Sequence, residues 1–136
     1  MNKDFFKDLC PFLTFTWGLP MTFLGYFIVM PILILSGVAT GIDTHKAIIY
    51  LTVGQNWGGV SFGPIAVVNE NPSEFILNHE YGHGIQNCIF GPFMILISII
   101  SFIRYWYHIL LRKLNKKVPD YYSIWFEKQA NELGGN

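Results

Sequence analysis

The chain has 136 residues, of which 51% are hydrophobic and 13% charged, with a formal net charge of zero. That length allows one domain, 1–136, and the apolar balance is that of a membrane-associated protein rather than a freely soluble one. Beyond one short cluster no basic face is interleaved with exposed aromatics, so nothing suggests a nucleic-acid partner, and Cys10 and Cys88 have no metal or redox spacing.

Residues 2–10 alternate Lys3, Asp4, Lys7 and Asp8 at spacings that suit a short amphipathic helix. From Pro11 to Thr40 no charged residue occurs, so 11–40 reads as a membrane helix, with Trp17 and Tyr26 as interfacial anchors. Pro20 and Pro31 predict a kink or a break, and a single kinked span is favoured over a hairpin. A signal peptide is the competing reading, but the apolar run is longer than a typical signal core.

Residues 46–69 change character. Ala47 to Val53 reads as a strand, Gly54 to Gly59 as a turn, and Val60-Ser61-Phe62 with Ile65 to Val68 as a returning strand interrupted at Gly63-Pro64. The sequence thus predicts one β-hairpin whose Pro64 marks an edge or a bulge. The edge at Val60, Ser61 and Phe62 is a candidate strand for an extended peptide substrate, the alternative being a hairpin that only covers the next helix.

Residues 72–90 read as a helix, with Asn71 as N-cap, Pro72 at the first helical position and Glu74 placed like a capping-box acid. Inside it lies His79-Glu80-Tyr81-Gly82-His83. Residues four apart on a helix are separated by about 40° in azimuth and about 6 Å along the axis, so both imidazoles reach one metal ion. Glu80, one step round, is placed to act on water beside that ion rather than to ligate it. Gly82 and Gly84 each cost the helix about 1 kcal/mol relative to Ala, which predicts that another backbone or a substrate comes close there.

Residues 91–117 are nearly free of charge up to Ile103 and end in an aromatic belt at Tyr105, Trp106 and Tyr107 and a basic cluster at Arg112, Lys113, Lys116 and Lys117. A simple crossing would separate His83 from anything downstream, so the stretch is predicted to run out and back as apolar or interfacial helices. The basic cluster points to a cytoplasmic active site by the positive-inside tendency.

Residues 120–133 read as a last helix, capped by Asp120 and stopped by Gly134-Gly135. Ser123, Glu127, Ala130 and Asn131 share one face. Glu127 is the candidate third ligand, small Ala130 permits close packing on the His79/His83 helix, and Asn131 is placed to bond the back of a ligating imidazole.

The pairing of H-E-x-G-H with E-x-x-A-N resembles the gluzincin branch of zinc metallopeptidases. Gly58-Gly59-Val60-Ser61-Phe62-Gly63, the HEYGH stretch with Gln86, and the FEKQANELGG stretch are similar to a group of small bacterial membrane-associated proteins. The resemblance covers about residues 48 to 135. It implies Zn2+ held by His79, His83 and Glu127, Glu80 as general base, a peptide or protein substrate, and a bacterial inner-membrane location. Asn131 stands where the gluzincin pattern has an aspartate. The oxyanion stabiliser is unassigned, with Tyr121, Tyr122 and His108 as candidates. The expected fold is mainly α with a small β-hairpin (α+β): membrane helix, hairpin, HExxH helix, apolar excursion and ligand helix. The alternative is a non-catalytic membrane protein whose zinc site is structural. Partners beyond substrate and membrane lipid, and the oligomeric state, have no sequence signal.

Overall fold

A computed structural model describes residues 11–136; the expected amphipathic stretch at 2–10 lies outside the described residues. The chain is mainly helical, with one mixed four-stranded sheet.

Helix α1 runs over Leu19–Leu35. Pro20 sits in its first turn, where its missing N–H costs nothing, and so opens the helix instead of kinking it. Before Pro31 the helix widens into a π-helical stretch, Leu24–Val29, the form in which a helix absorbs one residue more than its regular ladder allows. Of the 11–40 stretch expected to form a membrane helix, the continuous helix is this shorter piece: a turn at 15–18 precedes it and another at 36–37 ends it. Its outer side is apolar, with Phe23, Phe27, Ile32 and Leu35 exposed.

The expected single hairpin is instead four strands: β1 Gly41–His45, β2 Ile48–Thr52, β3 Gly59–Phe62 and β4 Ile65–Val68. Their order is β1-β2-β4-β3. β4 pairs antiparallel with β3 and parallel with β2, in the register Ile49↔Ile65 to Thr52↔Val68. Gly63, at φ 66, makes the tight turn that folds the returning strand into two. The physical reason is burial: every residue of β4 is buried, as a central strand covered on both faces must be, so this apolar run takes the middle of the sheet. β1, mostly exposed, lies ahead of the 46–69 stretch expected to form the hairpin. β3 is an edge strand.

Helix α2, Glu74–Phe90, crosses the middle of the molecule, and every residue from 77 to 88 is buried. Its cap is Ser73, whose side chain accepts from the Ile76 N–H; Asn71, the expected cap, has φ 52 and lies with Pro72 ahead of the helix. One side of α2 packs with Ile48 and Ala66 through Tyr81 and Ile85. A second core joins Met21 of α1 to Met94, Ile97 and Phe126. Burying each such side chain contributes about 1.5–3 kcal/mol.

After a 3-10 turn at Gly91–Phe93, helix α3 extends over Met94–Lys113. The helical run Glu74–Lys113 is long and apolar enough to cross a membrane, whereas Leu19–Leu35 is shorter. The chain leaves as α3 and returns through 114–120, because the Arg104 guanidinium donates to the carbonyls of Tyr121 and Asp120 and to Ser123 Oγ. Asp120 caps only a short turn, Tyr121–Ser123, through its bond from the Tyr122 N–H. Helix α4 follows as Trp125–Gly134, ended by Gly135 in the left-handed region at φ 93.

Candidate metal centre

The site begins with two backbones in contact. A Cβ on Gly82 would lie 1.8 Å from the Ala130 carbonyl oxygen, and one on Gly134 would lie 1.7 Å from the Asn78 carbonyl oxygen. Only glycine at both places lets α2 and α4 cross this closely. That explains why glycine is used inside a helix despite its propensity cost, and why position 130 is small.

The crossing brings His79, His83 and Glu127 together, all buried, with one ligand atom of each within 4.8 Å of the others. His79 Nε2 and His83 Nε2 are 3.1 Å apart, and Glu127 Oε2 lies 2.8 Å from the first and 3.2 Å from the second. The far side of each ring is also held. His79 Nδ1 donates to Asn131 Oδ1 and His83 Nδ1 to Gln86 Oε1, both at 2.8 Å. The Gln86 amide orientation is fixed in turn, since its Nε2 donates to Phe126 O and Gln129 Oε1.

With both Nδ1 atoms committed as donors, the two Nε2 atoms and Glu127 Oε2 turn their lone pairs towards one point. That arrangement needs positive charge at its centre, either a bound cation or protons on the imidazoles. Ligands about 2.0–2.1 Å from a tetrahedral ion sit about 3.3–3.4 Å from one another, slightly wider than this triangle. Two imidazoles and a carboxylate suit zinc, so the residues fit the metal that the sequence implies.

Glu127 is fully buried. Burial by itself would raise its pKa, but where the two Nε2 atoms carry protons in place of a cation, their hydrogen bonds to the carboxylate outweigh it and hold the carboxyl well below the usual range. Its other oxygen, Oε1, accepts from Ser101 Oγ on α3. Since the Ser101 proton goes there, the Tyr121 hydroxyl, 3.0 Å away, must donate to Ser101 Oγ. Burial pushes the phenols of both Tyr121 and Tyr122 upwards, reinforced by the nearby carboxylates, so both remain O–H donors.

Glu80 is 2% exposed, yet its Oε2 has no hydrogen-bond partner among the described residues. A Cβ on Gly59 would lie 2.8 Å from Glu80 Oε1, so this glycine makes room for the carboxylate under the start of β3. Glu80, the two histidines and β3 residues Gly59, Val60 and Ser61 line one cavity of about 400 Å³.

Of the other expected site residues, Tyr122 packs edge-on against His79, with ring centroids 5.1 Å apart. Tyr121 spends its proton on Ser101. His108 lies on α3 against Tyr121, at 5.8 Å between centroids, two helical turns beyond Ser101. Phe62 turns to the core formed by Met21 and Met94. Sequence reasoning missed Ser101 as a partner of Glu127, and Gln86 as the holder of His83. The signals available were a serine pair, Ser98 and Ser101, in an otherwise apolar helix, and the three-residue spacing from His83 to Gln86.

No protein-family model, no curated protein and no solved structure matches the chain. The His79, His83 and Glu127 cluster, with Glu80 beside it, is consistent with a zincin-like HExxH arrangement.

Proposed function

We propose that this chain is a zinc-dependent, gluzincin-like peptidase acting at or near a membrane surface. The observation that carries the reading is the convergence of His79 Nε2, His83 Nε2 and Glu127 Oε2, with both histidines lining the same cavity as Glu80, whose Oε2 has no partner among the described residues. Zinc at these three atoms supplies a Lewis acid that polarises a peptide carbonyl and acidifies water. Glu80 takes the proton of the attacking water as the new C–O bond forms, and passes it to the amine as the C–N bond breaks. Tyr122, whose hydroxyl stays protonated, donates to the carbonyl oxygen as charge develops there. The free edge of β3, at Val60 and Ser61, holds the peptide extended. Asn131 accepts the His79 N–H as the gluzincin aspartate would, without adding a charge. A structural zinc site would be closed by a fourth protein ligand. Among the described residues the ligand group has three members, which favours the enzyme over the non-catalytic module.

The test is Glu80→Gln. Zinc content should stay at wild-type level while hydrolysis of peptide and membrane-protein mixtures, read by mass spectrometry, falls by about 10²- to 10⁴-fold. Equal cleavage by both proteins would sink the assignment of Glu80.

A further inference from the structure

The cavity does not stop at the metal cluster. It continues along α3, whose inner face presents Ser98, Ser101, Tyr105, His108 and Arg112 at three- and four-residue spacings. At about 1.5 Å per residue, His108 and Arg112 lie about 10 Å and about 16 Å along the helix from Ser101. An extended peptide covers those distances in about three to five residues.

This far end has unspent polar capacity. His108 is 3% exposed, and its Nδ1 is buried without a partner. The Arg112 side chain is exposed and takes part in neither salt bridge found among the described residues. Arg104 is the contrast, with its guanidinium used up on Tyr121, Asp120 and Ser123. Among the described residues lining the cavity the sole carboxylate is Glu80, at the cluster. The far end therefore carries the Arg112 charge, with no carboxylate lining the cavity beside it.

We infer that Arg112 and His108 form a subsite for an acidic group on an extended peptide, about three to five residues from the bond that is cut. The inference rests on the peptidase reading and names the substrate class for it. A peptide fits better than a lipid headgroup because both residues lie on the inner face of α3. The opposite face, with Leu96, Ile99, Ile103 and Leu110 exposed, is the apolar one.

The experiment uses the full-length, zinc-loaded protein in detergent and a decapeptide series in which one position at a time is Asp, Asn or Lys. Binding is measured on Glu80→Gln and on the Glu80→Gln/Arg112→Glu double variant, so that no turnover is needed. The Asp peptides should bind about tenfold more tightly than the Asn peptides at one or two positions, and the double variant should prefer Lys there. Cleavage by wild type should place those positions three to five residues from the cut. Equal affinity for Asp and Asn overturns the subsite whether or not wild type cleaves. Asp-selective binding with no cleavage by wild type leaves the subsite standing and removes the peptidase reading. If Arg112→Glu keeps the Asp preference but loses affinity for phosphatidylglycerol nanodiscs, Arg112 is a lipid contact and the inference fails.

Discussion

The cavity has two kinds of wall. Behind one wall, formed by His79, Glu80 and His83 of α2, that helix meets α4 backbone to backbone, at Gly82 against Ala130 and Gly134 against Asn78, with no room for one further carbon. On the other side α3 reaches the site through side-chain bonds: Ser101 to Glu127, three from Arg104 to the 120–123 turn, and Tyr105 to the Trp57 carbonyl at 3.4 Å. A backbone crossing cannot relax in small steps, whereas side-chain bonds can be remade. The first wall therefore sets ligand geometry, and the second sets the space open to a substrate.

Breaking the rigid wall should have the largest effect. Gly82→Ala adds a carbon where none fits, so α2 and α4 must part. The usual gain of about 1 kcal/mol from replacing a helical glycine is overwhelmed, and overpacking against backbone should exceed the common 1–3 kcal/mol. Thermal unfolding should show a drop of several degrees together with loss of zinc; an unchanged melting temperature would mean that the two helices are not in contact as described. Next in size is Ser101→Ala, which leaves a buried Glu127 oxygen without its donor. Zinc affinity, measured by chelator competition, should fall by about 10- to 100-fold, and the melting temperature of the zinc-free protein should fall by less than in Gly82→Ala. Tyr105→Phe should do least. It removes one long bond across the adjustable wall, at a cost of about 0.5 kcal/mol, and should alter substrate KM more than zinc content. If Tyr105→Phe lowered zinc affinity as much as Ser101→Ala, the division between the two walls would be wrong.

Local periodicity carried what the sequence revealed. His79 and His83 share a helix face by spacing alone, and Glu127, Ala130 and Asn131 share another, so the ligand cluster and its close crossing were legible before any coordinates. The sheet was not, because a parallel pairing of β2 with β4 depends on contacts that no local pattern encodes. Gly63-Pro64 looked like a flaw in one strand and is the turn between two. The apolar stretches were legible as composition but not as lengths, since the turn at 36–37 ends the first helix early and α3 continues through its aromatic belt. Ser101 escaped because its bond to Glu127 requires the return path at 114–120.

That return path also orders events in time. His79 and His83 are delivered together by a single helix, whereas Glu127 comes from a segment that follows all of α3, so the contact between positions 83 and 127 is the slow, non-local one. Contact order therefore predicts that a two-nitrogen half-site forms in the folding chain before the full cluster does. An ion caught at that stage is gripped more tightly when α4 docks, and by linkage the same free energy holds α4 in place. If the cluster binds zinc as proposed, metal capture and the final docking step form one coupled equilibrium, and a chelator present during refolding should act on the fold as much as on the site.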